Sequence, residues 1–192
     1  MLENIVFYSS LAYNVVLNKL QFRTWYDRID QSVILGALPF RGKFSKTIVD
    51  QENVRAVISM NQDFELKVFS PDYEEWKKMG VEFLQLPTRD FVEAPSLDNI
   101  HLGVQLIEKY VSPLHSKSGQ IPSSVYIHCK AGRTRSATLV ACYLVKRHNI
   151  TAEEAVEMIR EKRPHIYLAD IHLQTIKNFI DSIKLNNSNL TN

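Results

Sequence analysis

Four short apolar runs mark the chain, at residues 33–38, 54–60, 81–86 and 124–128. Each is mainly apolar and bounded by polar or turn residues, so each predicts a buried strand. Between and after them, apolar residues recur at helical spacing. Helices are predicted over residues 44–53, over 72–79 with Gly80 at the stop, and over 97–111 after Ser96, with Pro113 just past the end. A further helix follows Arg135 to about His148. Thr151-Ala152-Glu153-Glu154 resembles a capping box and opens another helix, which Pro164 ends. The last is predicted from Asp170 to about Leu185. Strands alternating with helices, then a helical final third, predict an α/β fold whose mainly parallel central sheet of about four to five strands is flanked by helices.

The pattern divides the chain into a domain over residues 25–185, a polar tail over 186–192 expected to be disordered, and a hydrophobic, amphipathic segment over 1–24. In that segment Ile5, Val6, Phe7, Leu11, Val15, Val16 and Leu20 fall at roughly helical spacing. Glu3, Asn4, Asn14 and Asn18 interrupt them, and Lys19, Arg23 and Arg28 follow. A helix packed on the domain, a membrane-surface helix and an organelle-targeting segment all fit, although the early positive charge of a leader is missing. No run of 18 or more apolar residues occurs, so no transmembrane helix is expected.

Composition narrows the function classes. The net charge of +2 on 192 residues is too small for bulk nucleic-acid binding, but it allows a local basic site. Two cysteines, Cys129 and Cys142, do not make a disulfide framework. The six histidines are scattered without zinc-ligand spacing, so neither metal nor cofactor is expected.

The chemistry concentrates at Ser124 to Ser136. A buried strand delivers His128 and Cys129; Arg135 lies six residues on and opens an amphipathic helix, giving H-C-x5-R-S with Gly132 in the loop. A cysteine attacks phosphorus only as thiolate. A loop of backbone N–H groups running into a helix N-terminus lowers the thiol pKa and binds phosphate oxygens, which implicates Lys130, Ala131, Gly132, Arg133, Thr134 and Arg135 in substrate binding. Gly132 allows the torsions of a tight cradle. Arg135 offers a planar fork for two phosphate oxygens and for transition-state charge. Ser136 is placed to donate to the sulfur as it leaves, and His128 to orient the loop. A lone cysteine after a strand is ordinarily a small buried hydrophobe, the reading that suits Cys142 among Val140, Ala141, Tyr143 and Leu144. Lys130 and Arg133 recognise the rest of a substrate or balance charge at the rim.

The leaving oxygen needs a proton and the second step needs an activated water; one carboxyl can serve both. Asp90 is the candidate, because it follows the run at 81–86 and sites in α/β sheets gather beyond the C-terminal strand ends. Asp98 reads as a helix-dipole residue, and Asp63 and Glu65 are further carboxyls to place.

The loop resembles the signature of the protein tyrosine phosphatase superfamily in its small dual-specificity branch, which implies a cysteine-phosphatase fold and a two-step mechanism through a phosphocysteine, without metal. That branch also carries its acid at the place of Asp90. More of the chain resembles the mitochondrial phosphatidylglycerophosphate phosphatase subfamily: WYDRIDQSVILGALP from Trp25, ENVRAVISMN from Glu52, EEWKKMGVEFLQLPTRD from Glu74, SLDNIHLGVQ from Ser96 and VYIHCKAGRTRSATLVACYLV from Val125. This resemblance implies a phosphorylated lipid substrate at a membrane surface, cardiolipin synthesis on the matrix side of the inner mitochondrial membrane, and a monomer. A protein tyrosine/serine/threonine or phosphoinositide phosphatase is the alternative; a catalytically weak phosphate-binding adaptor predicts damage to Cys129, Arg135 or Asp90, and none is seen. Two stretches depart from the subfamily. Its Glu-Glu-Tyr-Glu loop reads Gln62-Asp63-Phe64-Glu65, and its Arg-Pro-x-Gln element reads Ala169-Asp170-Ile171-His172.

Overall fold

The computed structural model describes residues 2–111 and 123–190. Five strands, β1 (Tyr26–Arg28), β2 (Val33–Gly36), β3 (Val54–Ser59), β4 (Glu82–Gln85) and β5 (Ser124–His128), form one sheet in the order β1-β2-β5-β3-β4. The pairs β2–β5, β5–β3 and β3–β4 are parallel; β1 runs antiparallel along the edge of β2. The α/β sandwich with a mainly parallel sheet is therefore present.

The central strands are apolar on both faces because helices cover both. Val33 and Leu35 of β2 join one core with α5 (Leu97–Val111), α6 (Arg135–His148), α7 (Ala152–Lys162) and α8 (Asp170–Leu190). Ile34, between them, points to the opposite core with Val54, Val57, Tyr126 and Trp76, beneath α2 (Lys43–Gln51) and α4 (Tyr73–Lys78). That alternation is the period of two along a pleated strand. Helix α6 is buried from Arg135 to Val145, so its N-terminus is fixed from all sides. Helix α1 (Leu2–Lys19) packs Phe7 and Leu11 against Trp25, Ala37 and Leu38 at the C-terminal end of the sheet. Among the described residues no helix is long and apolar enough to cross a membrane.

Three elements differ from the sequence reading. Strand β1 is Tyr-Asp-Arg, with no apolar run to betray it; its pairing with β2 makes it a strand. Helix α3 (Asp63–Leu66) is a single turn, set by a capping box between Gln62 and Glu65. Helix α8 continues through the stretch 186–190, where a disordered tail was expected. Extending a formed helix costs far less than nucleating one, so polar residues of modest propensity can follow a docked helix.

Strand β2 ends at a glycine for a packing reason. A Cβ on Gly36 would lie 2.1 Å from Tyr126 Oη, which donates to the Ala37 carbonyl at 2.7 Å. Gly36→Ala is expected to destabilise the protein by about 1–3 kcal/mol, read as a lowered urea midpoint at unchanged m-value.

Candidate active site

Register brings the site together. His128 at the end of β5 pairs with Gly36 of β2 and Ser59 of β3, so Cys129 emerges between the two neighbouring strands. The Met60 N–H donates to the His128 carbonyl (2.9 Å) and the Leu38 N–H to the Lys130 carbonyl (3.3 Å), extending the sheet into the loop. Cys129 is 2% exposed. At the far end of the loop, Thr134 is the N-cap residue of α6 and Arg135 its first helical residue.

The loop is shaped from behind by Arg163, a fully buried residue that sequence reading overlooked. Its Nε donates to the Gly132 carbonyl (2.8 Å) and its Nη2 to the Ala131 carbonyl (3.0 Å). Asp27 of β1 pairs with Arg163 Nη1 at 2.5 Å. Arg163 thus engages two successive carbonyls of the loop. Gly132 has φ +63, and a Cβ there would sit 2.4 Å from the Gly36 carbonyl oxygen, so no other residue fits. The available sequence signals for this scaffold were an arginine beside the helix-ending Pro164 and the aspartate of the Trp25 block.

Arg135 is 1% exposed and held by four hydrogen bonds and a further ion pair. Nη1 donates to Glu65 Oε2 (2.8 Å), the Thr88 carbonyl (2.9 Å) and the Met60 carbonyl (3.3 Å), and Nη2 donates to Glu65 Oε1 (3.1 Å). Asp90 Oδ1 lies 3.1 Å from Nη2 as well. Nε is buried without a partner. The two carboxyls of the Gln62–Glu65 stretch thus separate. Glu65 is buried on Arg135, whereas Asp63 is exposed and accepts from Gln85 (2.9 Å), away from the site. Glu65 is committed to Arg135 through both oxygens, and Asp98 sits exposed in the first turn of α5. Among these candidate carboxyls Asp90 is the one in the cleft with Cys129.

Burial pushes the Cys129 thiol up, but the Arg135 guanidinium and hydrogen bonds from the Ser136 hydroxyl and Ser136 N–H outweigh it, so the thiol lies below its ordinary value. The Ser136 Oγ–Cys129 Sγ distance is 3.2 Å. His128 is pushed down to about 3, by burial first and then by the Arg135 charge. It is therefore neutral, with Nδ1 facing the Cys129 carbonyl at 3.4 Å. Burial drives the Cys142 thiol far up, as suits a core residue of α6.

A cleft of about 530 Å³ opens over Cys129, walled by Asp90, Ala131, Arg133 and Thr134 on the loop side and by Ser10, Tyr13 and Asn14 of α1. Arg133 stands at its edge, with Nε donating to the His165 carbonyl (2.7 Å). Lys130, read as a substrate contact or a rim charge, lines the same cleft; it is buried and its ammonium pairs with Asp90. Ala169, Ile171 and His172 line the same cleft. Phe64, which stands where the subfamily carries a tyrosine, packs edge-on against Phe7 of α1 (5.9 Å between ring centroids). Among the described residues no three His, Cys, Asp or Glu side chains could hold a metal ion.

This geometry has relatives. The family model for the dual specificity phosphatase catalytic domain matches residues 41–188. The rat (Rattus norvegicus) phosphatidylglycerophosphatase and protein-tyrosine phosphatase 1 is 43% identical over 181 residues, covering 93% of this chain and 89% of that protein. The phosphatidylglycerophosphate phosphatase PTPMT2 of Arabidopsis thaliana is 37% identical over 177 residues, covering 91% of this chain and 72% of that one. A crystal structure of PTPMT1 in complex with PI(5)P superposes with TM-score 0.77 at 43% identity, over 85% of this chain and 99% of that chain.

The two thiols should separate by reactivity. Because the Cys129 pKa is lowered, its thiolate persists to lower pH than that of a free cysteine. Iodoacetamide at pH 6 to 7 is expected to label Cys129 and leave Cys142 unmodified, as read by peptide mass mapping. Labelling that persists in Cys129→Ser would contradict the assignment.

Proposed function

The chain belongs to the dual specificity phosphatase family, and we propose that it hydrolyses the terminal phosphomonoester of phosphatidylglycerophosphate to phosphatidylglycerol. It is a phosphatase of the cysteine-dependent type. The observation that carries the assignment of roles is the unspent donor capacity beside the thiol: Arg135 Nε is buried without a partner next to a nucleophile whose pKa is already lowered. A buried donor without a partner costs about 1–3 kcal/mol, and a phosphoryl oxygen in the cradle relieves it.

In the first step the Cys129 thiolate attacks phosphorus, the P–O ester bond breaks, and Asp90 gives its proton to the leaving alkoxide. In the second, water attacks phosphorus, the S–P bond breaks, and Asp90 takes the proton from the water. The sulfur leaves as thiolate, which the Ser136 hydroxyl stabilises. Arg135 and the N–H groups of residues 130–135 hold the equatorial oxygens through both steps. His128 and Glu65 support them: His128 stays neutral behind the loop, and Glu65 fixes the guanidinium plane.

Two things support a lipid substrate. The relatives named above are phosphatidylglycerophosphate phosphatases. The mouth of the cleft is also lined by exposed Tyr13, Phe91, Tyr167 and Ile171, with Arg23 and Arg133 among them. Exposed apolar side chains interspersed with cations suit a surface of acyl chains and anionic headgroups, and the outer side of α1 adds Ile5, Val6 and Val16. We infer that the enzyme works there as a monomer without a metal, on the matrix side of the inner mitochondrial membrane; the resemblance to the mitochondrial subfamily supports that compartment.

Phosphate release from phosphatidylglycerophosphate, a phosphoinositide and a phosphotyrosine peptide tests the substrate. The first is expected to be preferred, and a preference for the peptide by orders of magnitude would reject the lipid reading. Cys129→Ser should abolish turnover of all three. Asp90→Ala should lose about 10²-fold or more in kcat on the alkyl phosphate, and an unchanged rate would move the acid role to another group.

A further inference from the structure

Lys130 directly follows the nucleophile, where a loop lysine would be expected to reach toward an anionic substrate. Instead it is 5% exposed and its ammonium pairs with Asp90 Oδ2. Two aromatic rings enclose it, with Nζ 4.1 Å from the Phe91 centroid and 5.7 Å from the Phe7 centroid. Phe91 reaches this position from a left-handed backbone, φ 66, which is costly for any residue with a Cβ. Phe7 belongs to helix α1, and Glu3 of the same helix pairs with Arg89, beside Asp90, at 3.0 Å. The chain around Asp90 has no helix or strand of its own between β4 and α5. Its position therefore depends on these side-chain contacts.

We propose that Lys130 is a positioning residue for proton transfer, tethering the Asp90 carboxyl at the mouth of the phosphate cradle, and that helix α1 completes the tether through Phe7. The inference rests on Asp90 being the acid. In the free enzyme Asp90 has two cationic anchors, Arg135 through Oδ1 and Lys130 through Oδ2. An entering phosphoryl group claims Arg135 Nε and Nη2, and Asp90 then loses the first anchor. Lys130 retains Oδ2 whether or not the carboxyl is protonated, which leaves Oδ1 to carry the proton toward the leaving oxygen. Without the tether, an aspartate on irregular backbone spreads over many positions, and a displacement of ~1 Å can cost ~10²-fold in rate. Cation–π contacts with the two rings hold the ammonium beside Asp90 and out of bulk solvent. Helix α1 thereby contributes to the chemistry as well as to the rim of the cleft.

The test compares an alkyl phosphate, phosphatidylglycerophosphate in mixed micelles, with 4-nitrophenyl phosphate, whose leaving group needs little protonation. Lys130→Met is expected to lower kcat about tenfold or more on the alkyl phosphate, with the aryl phosphate changed by less than about threefold. Lys130→Arg should recover most of the loss, and Asp90→Ala/Lys130→Met should be no slower than Asp90→Ala alone. Phe7→Ala, or Phe7→Leu if the alanine variant does not fold by circular dichroism, should give a smaller loss with the same leaving-group dependence. If Lys130→Met raises KM equally on both substrates with kcat intact, or its loss adds to that of Asp90→Ala, the tether is wrong and Lys130 is a substrate ligand. A uniform loss in the Phe7 variants would remove α1 from the proposal. If Asp90→Ala leaves the alkyl rate unchanged, the acid assignment itself fails.

Discussion

The site is organised around one buried charge. Arg135 enters the protein as the first residue of α6, inside the core, and its guanidinium is out of reach of water. Burying a cation is tolerable only if it is paired and its donors are satisfied. Glu65 supplies the counter-charge through both oxygens, and the Met60 and Thr88 carbonyls take further hydrogen bonds. These partners come from the ends of β3 and β4 and from the single turn of α3. The guanidinium therefore ties together the segments that follow three adjacent strands. Among its donors Nε is left buried without a partner.

The loop behind Cys129 is held by a second buried arginine used in the opposite sense. Arg163 donates to backbone carbonyls from outside the cradle, and Asp27 on the edge strand balances its charge. The edge strand thus has a purpose beyond closing the sheet. Gly132 meets the Gly36 backbone where the loop passes β2, and the absence of a Cβ on Gly132 lets strand, loop and Arg163 approach closely, while that on Gly36 makes room for the Tyr126 ring. Together these contacts allow the thiol to be buried and still lowered in pKa, because Arg135 and Ser136 overcome the desolvation that raises Cys142.

Helix α1 connects this centre to the outside. One face packs on the sheet end through Phe7 and Leu11, a second lines the cleft through Ser10, Tyr13 and Asn14, and a third leaves Ile5, Val6 and Val16 exposed. A packed helix and a helix with an apolar outer side are thus the same element. Phe64 belongs to this arrangement: its ring meets Phe7 in an apolar contact where a tyrosine hydroxyl would need a partner.

The strands, most helices and the strand–loop–helix segment around Cys129 were legible in the sequence because they depend on local rules. Buried parallel strands must be apolar throughout, helices must repeat at 3.6 residues, and a strand–Cys–x5–Arg–helix segment places its own ends. Cys129, Arg135, Ser136 and Gly132 lie within eight residues of one another and needed no tertiary information. What the sequence could not rank were groups that meet across large separations. Glu65 and Asp63 are two residues apart and similar in chemistry, yet one is buried on Arg135 and the other is exposed. Lys130 stood open between a substrate contact and a rim charge, and only the fold set Phe7, Phe91 and Asp90 around it; Arg163 had no visible partner until the fold brought Ala131, Gly132 and Asp27 to it. Sequence determined that Cys129, Gly132, Arg135 and Ser136 share one loop and the helix start after it because proximity along the chain is itself a constraint. Only the tertiary structure decided which charges are paired, because pairing depends on burial, and burial is a property of the assembled fold.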